Sequence, residues 1–288
     1  VQGGCDMGAM HMAFPGYQKD VDEDVRLKFT ESWLVEIPTN KGGRIQDMVE
    51  AADDGSLRGL YVFGEDPATS EPNQAKVIAS LEKLDFMAVQ EIFMTETAKL
   101  ADVVLPATTF AEKDGTFTNT ERRVQRVRKA VEPPGLAKPD WEILSLVSTA
   151  MGHPMSYANA GEVFDEMASL TPSYGGISYE RIDEVGLQWP CPSPDHPGTQ
   201  FLHEGRFTRG LCAFQEIIFR HAADLTDEAY PYILSTGRPL YTYNIGNMTK
   251  KVGGSRQKQR RNVVEMLEQV AAGVGVGDGD EVTVATRR

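Results

Sequence analysis

Three short apolar runs, with helical periodicity between them, organise the first half of the chain. The runs cover residues 60–63, 86–89 and 103–105, and glycine and proline lie among the residues that bound them. Runs of this kind are typical of buried strands. Between the first two, apolar side chains recur at helical spacing over residues 73–84. The alternation predicts an α/β fold with a doubly wound, mostly parallel sheet that is covered on both faces.

Periodicity and capping residues place further elements along the chain. Five more helices are predicted, over 22–33, 45–52, 140–151, 161–170 and 179–185, and a sixth is predicted to begin at Thr95 as its N-cap. Further strands are predicted over 124–131 (as a strand or hairpin arm), 230–235 and 280–288. Residues 1–18 are predicted to form a loop because glycine and proline punctuate them, and residues 188–198, with four prolines, are predicted to be irregular. A change of character near 224–229 predicts a domain boundary.

Polar side chains follow two of the predicted strands directly. Glu65, Asp66 and Pro67 come just after the first strand, and Gln90 follows the second. Open α/β sheets bind ligands at the carboxyl ends of their strands, so we expect these side chains to converge there. Carboxylates suit the N–H donors of a purine edge or ribose hydroxyls. The alternative is an ordinary turn, for which Asp-Pro is also typical.

One further residue and one short stretch each allow two interpretations. Asp140 is most simply the N-cap of the predicted helix that begins there, and a ligand contact is the alternative. Thr236, Gly237 and Arg238 follow a predicted strand, so the guanidinium could bind a phosphate, or the three residues could form a plain turn.

Composition excludes several classes of protein. The formal net charge of -13 argues against a general nucleic-acid-binding surface. No apolar run has transmembrane length and no signal peptide is found, so a cytoplasmic location is expected. The three cysteines form no C-x-x-C pair and the five histidines lack ligand spacing, so no residue is assigned to a metal or to catalysis. A glycine-rich start and a final strand without a partner indicate a piece of a longer protein.

Several stretches match known motifs in order. They read VQGGCDMGAM…FPGYQ, VFGEDPATSEPN, VQEIFMTETAKLADVVLPATTFAEKDGTFTNTERRVQRVRKAVEPPG…KPDWEI and YPYILSTGRPLYTY. Together they closely resemble the molybdopterin oxidoreductase family, and best the catalytic alpha subunit of formate dehydrogenases. EKDGTFTNTERRVQ is shared with the large iron–sulfur subunit of NADH:quinone oxidoreductase and does not separate the two. VQGGCDMG, PGYQ and LQWPC favour the formate dehydrogenase side.

The resemblance implies a molybdenum or tungsten ion held by two molybdopterin guanine dinucleotides (bis-MGD). It also implies a 4Fe-4S cluster in a part of the protein that precedes this chain. Formate would be oxidised to carbon dioxide, and electrons would leave through the cluster towards partner subunits. Nucleic acid and membrane are not among the implied partners. The alternative is a segment of a related respiratory iron–sulfur subunit, with a structural and electron-transfer role.

The resemblance also assigns cofactor contacts by position. One guanosine pocket would be lined by residues that follow the predicted strands, namely Gly64, Glu65, Asp66, Pro67, Gln90, Ile92, Phe93, Thr95 and Asp102, with Asp140 on the guanine edge. Cys5, Asp6 and Gly8 would lie near the pterin. Residues 1–225 would be part of the α/β domain. Residues 226–288 would be a truncated β-barrel-type dinucleotide-binding domain that contacts the second dinucleotide through Thr236, Gly237, Arg238, Tyr241 and Tyr243.

The chain also departs from the family pattern. The family's cluster cysteines, its metal-ligating selenocysteine or cysteine, the adjacent histidine and the substrate arginine are expected upstream of this sequence. Thr242 and Asn244 stand where the family often has histidines. The last barrel strands are expected downstream. The fragment alone is therefore expected to be inactive, and Asp66→Ala is expected to weaken guanine dinucleotide binding.

Overall fold

The computed structural model describes residues 2–40, 42–207, 209–222, 224–258 and 261–287, with the backbone alone at Arg256. The chain forms two compact units, Val1–Gly210 and Leu211–Arg288. The helices are α1 Gln2–Asp6, α2 Glu23–Trp33, α3 Ile45–Asp53, α4 Pro67–Ser70, α5 Gln74–Leu81, α6 Glu96–Leu100, α7 Asp140–Ala150, α8 Ala160–Leu170, α9 Gly253–Lys258 and α10 Glu268–Gly273. The strands are β1 Ala13–Phe14, β2 Gln18–Lys19, β3 Gly59–Phe63, β4 Phe86–Glu91, β5 Val103–Pro106, β6 Gly115–Thr118, β7 Arg123–Val127 and β8 Leu187–Gln188.

The three predicted apolar strands form one parallel sheet, in the order β3-β4-β5. Its core side chains come from alternate strand positions and from the helices that connect the strands: Val62, Ala68, Val77, Leu81, Met87, Val89 and Ala98. The prediction of a parallel α/β sheet is confirmed in this form. The helix predicted over 73–84 is shorter, at Gln74–Leu81, and the residues after the first strand contain α4 rather than a turn alone.

Capping side chains set the beginnings of several predicted helices. Asp22 accepts from the backbone N–H groups of Asp24 and Val25 at the start of α2. Thr95 accepts from Ala98 N at 3.1 Å and begins α6, as predicted. Asn159 accepts from two backbone N–H groups at the start of α8. The predicted helices at 22–33, 45–52 and 161–170 are confirmed within one residue at either end.

A second, antiparallel sheet has the order β6-β7-β8. The prediction of a hairpin arm over 124–131 is confirmed in β7, which ends at Val127 and pairs with β6. This sheet contributes Val124 to a second core, which also contains Phe164, Ala168, Tyr174, Ile177, Ile182 and Cys191. The helix predicted over 179–185 is wrong, because these residues form turns and bends.

The N-terminal segment is more ordered than the predicted loop over 1–18. It contains helix α1 and the antiparallel pair β1-β2. The reason is a buried carboxylate at the end of α1, Asp6, which binds side chains from distant parts of the same unit. Phe14 stacks on Phe29 of α2 with ring centroids 4.4 Å apart, which fixes the hairpin to the rest of the unit.

The second unit has a different character. Among the described residues of Leu211–Arg288, helices α9 and α10 are present, and neither a strand nor a closed sheet is found. The prediction of a strand over 230–235 is therefore wrong, and so is the prediction of a strand over residues 280–287. Arg288, the last residue of that predicted strand, lies outside the described residues. A strand needs a neighbour for its backbone N–H and C=O groups, and apolar character alone does not supply one. No helix among the described residues is long and apolar enough to cross a bilayer.

Candidate functional site

The carboxyl edge of the parallel sheet brings residues from β3, β4 and β5 side by side. Phe63 is paired with Gln90, and Gln90 with Leu105. The chain turns at Gly64, whose N–H donates to Gln90 O at 3.0 Å. Gly64 has a positive φ of 62°, a conformation that glycine adopts without strain. The side chains at this edge, and those of α7 that approach it, form the candidate site.

Gln90 is fully buried and held at both ends of its amide. Its Oε1 accepts from the hydroxyl group of Tyr61. Tyr61 lies on the neighbouring strand β3, two residues before Phe63, which is the residue paired with Gln90. Its Nε2 donates to Asp140 Oδ1 at 2.8 Å. A buried amide with both ends bonded has one orientation, so Gln90 presents Asp140 in a defined position.

Asp140 is the first residue of α7, and its side chain does not cap that helix. Pro139 takes the N-cap position, without a side-chain hydrogen bond. The simplest interpretation of Asp140, as an N-cap, is therefore wrong. Its Oδ1 binds Gln90, and its Oδ2 pairs with the ammonium of Lys113. Its side chain is 26% exposed, so this carboxylate has both a fixed position and access to a ligand.

Asp66 lies at the same edge but turns inward. It is 3% exposed, and its Oδ1 accepts from Thr97 N at 3.0 Å and from Thr97 Oγ1 at 2.8 Å. Thr97 Oγ1 in turn accepts from Ala68 N at 3.0 Å. Pro67 begins α4 and is buried. Asp66 thus joins the start of α4 to the first turn of α6, and shapes the site from behind.

Glu91, the last residue of β4, is buried beside these groups. Burial raises the pKa of its carboxyl group, and the carboxylates of Asp66 and Asp140 raise it further, while hydrogen bonds from the backbone of Ile92 and Phe93 oppose the shift. The bond from Ile92 N to Glu91 Oε1 is 2.7 Å long. Three carboxyl groups therefore lie within electrostatic reach of one another at this edge.

The remaining predicted pocket residues divide between two edges of the sheet. Glu65 is exposed, Ile92 and Phe93 are half-buried, and Thr95 is buried as the cap of α6. Asp102 instead lies at the amino end of β5, where its Oδ2 accepts from Met87 N at 2.7 Å. Met87 precedes Gln90 by three strand positions, about 10 Å. The structure does not bring Asp102 to the edge where Gln90 and Asp140 meet.

The N-terminal residues form a separate cluster in the same unit. Asp6 is fully buried and accepts hydrogen bonds from four side chains: Gln2 at 2.8 Å, Tyr17 at 2.9 Å, Tyr174 at 3.1 Å and Trp189 at 2.7 Å. Cys5 is half-buried and has a free thiol. Gly8 has a φ of 79°, and a Cβ there would lie 2.7 Å from Pro15 N, so glycine is required.

The five predicted residues of the second unit are all exposed: Thr236, Gly237, Arg238, Tyr241 and Tyr243. The ammonium of Lys258 lies 4.8 Å from the ring centroid of Tyr241. Tyr243 N donates to Thr249 Oγ1 at 3.2 Å. Within the described part of the chain, no group of three or more His, Cys, Asp or Glu side chains has the arrangement of a metal site.

Three residues of the candidate site were not identified from the sequence: Tyr61, Glu91 and Lys113. A signal existed for the first two, because Tyr61 occupies an alternate position of a predicted strand and Glu91 directly follows Gln90. Lys113 gave no local signal, since its partner Asp140 lies 27 residues further along the chain. Contacts of that range become visible only in the folded structure.

Two family models match the chain, and one match lies within each unit. The family model for molybdopterin oxidoreductase matches residues 1–150, and that for the "Molydopterin dinucleotide binding domain" matches residues 232–288. A solved structure, acetylene hydratase from Pelobacter acetylenicus, has a TM-score of 0.41 and 20% identity, over 55% of this chain and 22% of its own. A likeness of that size carries no further conclusion.

Curated relatives match the chain from end to end. The F420-dependent formate dehydrogenase 2 subunit alpha of Methanococcus maripaludis is 44% identical over 100% of this chain. The F420-dependent formate dehydrogenase subunit alpha of Methanocaldococcus jannaschii is 42% identical over the same share. In both cases the match covers 43% of the relative, so the chain spans less than half the length of these proteins. The chain belongs to the molybdopterin oxidoreductase family.

Proposed function

We propose that this chain is part of the catalytic alpha subunit of a formate dehydrogenase, and that the carboxyl edge of its parallel sheet holds the guanine end of a molybdopterin guanine dinucleotide. The observation that carries the proposal is the hydrogen bond from Gln90 to Asp140 at the strand ends. This bond fixes the carboxylate of Asp140, which is still partly exposed. When bound, the molybdenum or tungsten of such a cofactor supplies the redox chemistry that takes electrons from formate.

The donors and acceptors of the edge suit guanine. Guanine presents two neighbouring donors, the N1–H and the 2-amino group, and an ionised carboxylate accepts two parallel hydrogen bonds. Each oxygen of Asp140 has one protein donor, from Gln90 or Lys113, which leaves further lone pairs for a ligand. In this proposal, Glu65 and the turn at Gly64, which are both exposed at the same edge, bind the ribose beside the base.

The finer assignments belong to the same proposal. Residues 1–225 belong to a doubly wound α/β domain, and residues 226–288 to a β-barrel-type dinucleotide-binding domain that binds the second dinucleotide of bis-MGD. The match of residues 232–288 to a dinucleotide-binding model supports the latter. The complete subunit carries a 4Fe-4S cluster, oxidises formate, passes electrons to partner subunits and is cytoplasmic. The names of the relatives favour formate dehydrogenase over the NADH:quinone oxidoreductase alternative.

A titration of the full chain with guanosine diphosphate tests the guanine pocket. We expect guanosine diphosphate to bind more tightly than adenosine diphosphate by about tenfold, because adenine has an acceptor where guanine has its N1–H donor. Asp140→Asn should remove this preference. The matched control is Asp195→Asn at an exposed loop position, which should retain it. Equal binding of the two nucleotides to the unaltered chain rejects the pocket.

A further inference from the structure

The contacts behind Gln90 and Asp140 suggest how the edge recognises one purine. We propose that Tyr61 and Lys113 are positioning residues, which hold Gln90 and Asp140 so that the site selects a purine carrying a 2-amino group. This inference rests on the proposed guanine pocket. Tyr61 and Lys113 need not touch the ligand, because their effect passes through the two side chains that they bind.

Tyr61 fixes the direction of the Gln90 amide. The ionised carboxylate of Asp140 can only accept, so it takes the Nε2 donor of Gln90, at 2.8 Å. Gln90 Oε1 then faces the hydroxyl group of Tyr61, which donates to it. Both strands are paired in register here, so the hydroxyl group and the amide lie on the same face of a rigid sheet. Without the hydroxyl group, the buried amide oxygen loses its partner.

Lys113 fixes the second oxygen of Asp140. Its ammonium pairs with Oδ2, while Gln90 holds Oδ1, so the plane of the carboxylate is set from two sides. Lys113 itself follows a short turn that is closed by Thr109 and Glu112, with Thr109 N donating to Glu112 Oε2 at 2.8 Å. With one protein partner on each oxygen, the carboxylate of Asp140 keeps further lone pairs on both oxygens for a ligand.

The fixed plane matters because purines differ in how many donors they present. Guanine offers two parallel donors, hypoxanthine offers the N1–H alone, and adenine offers an acceptor at N1. A carboxylate with a free torsion can turn towards a single donor and gains little from the second. A carboxylate held from both sides gains the full free energy of the second hydrogen bond. A rigid Asp140 side chain should therefore bind guanine more tightly than hypoxanthine.

The test measures the ratio of dissociation constants for inosine and guanosine diphosphates in the full chain by calorimetry. We expect a ratio of about ten in the unaltered chain, because a hydrogen bond to a charged group is lost with the 2-amino group. Lys113→Met and Tyr61→Phe should each reduce the ratio to below about three, and Lys113→Arg should restore it. The control Lys83→Met, which removes an exposed pair with Asp53, should leave it unchanged.

The outcomes separate this inference from the pocket itself. If Asp140→Asn abolishes guanine preference while Lys113→Met and Tyr61→Phe keep the full ratio, the pocket stands and the positioning role is rejected. If the unaltered chain shows no guanine preference, both proposals fall. Should circular dichroism show that Lys113→Met does not fold, Tyr61→Phe decides alone, since it removes one hydroxyl group and keeps the ring.

Discussion

Asp6 and Asp140 are two carboxylates of the same unit with opposite surroundings. Asp6 is fully buried and accepts from four uncharged side chains. Asp140 is partly exposed and has one amide and one ammonium as partners. A carboxylate offers about four lone-pair directions, so those of Asp6 are all used and those of Asp140 are not. The first carboxylate holds the structure together, and the second can receive a ligand.

The two tyrosines that bind Asp6 keep their protons at neutral pH, although Tyr17 is exposed and Tyr174 is buried. Burial, followed by the hydrogen bond to Asp6, raises the pKa of Tyr17 to about 12. Burial and the nearby carboxylate raise the pKa of Tyr174 as well. Both phenols therefore remain donors at neutral pH. The resemblance implies that Asp6 lies near the pterin; because the whole residue is buried, half-buried Cys5 is the neighbour left to make such a contact.

The largest effect is expected from Asp6→Asn. The amide has the same shape, but its Nδ2 meets donors and can accept from none of them. With about 1–3 kcal/mol for each buried donor left without an acceptor, we expect the free energy of unfolding to fall by about 3 kcal/mol. Urea unfolding of the full chain, followed by tryptophan fluorescence through Trp189, measures the change.

The control for Asp6 is a carboxylate of the same unit outside the cluster. Asp195→Asn at an exposed position should change the free energy of unfolding by less than about 0.5 kcal/mol. Equal effects of the two substitutions would show that the four hydrogen bonds of Asp6 do not stabilise the unit, and would remove the contrast with Asp140.

A smaller effect is expected from Asp66→Ala, which tests a carboxylate between the two extremes. The buried N–H and hydroxyl groups of Thr97 lose their shared acceptor, so the free energy of unfolding should fall by about 2 kcal/mol. Guanosine diphosphate affinity should fall too, because α4 and α6 frame the edge of the sheet. Thr97→Val keeps the bond from the backbone N–H to Asp66 but leaves Ala68 N without its acceptor, so it should also cost about 2 kcal/mol.

The two measurements on Asp66→Ala distinguish its possible roles. Reduced stability together with reduced affinity is the outcome expected of a side chain that shapes the site from behind. Reduced affinity at unchanged stability would instead give Asp66 a direct ligand contact. If neither quantity changes, Asp66 has no part in the pocket.

The strands of the parallel sheet were predictable because their burial has a local sequence signature. Residues 60–63 and 86–89 are apolar in succession, and the sheet pairs them. Residues 230–235 carry a similar apolar run, and the structure forms no strand there. The difference lies in the presence of a neighbouring strand, which a local pattern does not report.

The partners of the carboxylates were less predictable than the strands. Thr95 was recognisable as a cap because its partner, Ala98, lies three residues away. Asp140 has the residue type of a cap, yet its oxygens bind side chains 50 and 27 residues distant. For Asp6 the separations reach 168 and 183 residues, to Tyr174 and Trp189. Residue type indicates that a polar side chain needs partners, and the fold alone decides which.

The smallest effect is expected at Glu91, as a change in pH dependence. Burial raises the pKa of its carboxyl group above the ordinary value of 4.5. At pH values just above 4.5, the folded chain therefore retains a proton on Glu91 that the unfolded chain loses. The folded state then binds more protons, and stability falls as the pH rises through this window until the folded group ionises.

Glu91→Gln removes this titration and provides the measurement. The stability of the variant relative to the unaltered chain should increase as the pH rises above 4.5, then become constant once Glu91 is ionised in the folded state. Urea unfolding at a series of pH values gives the difference directly. Glu96→Gln, at an exposed position on the neighbouring helix α6, is the control and should show no such rise. A difference for Glu91→Gln that is constant over the whole series would mean that the carboxyl group ionises freely, as an exposed side chain does, and that the edge of the sheet is more open than its packing indicates.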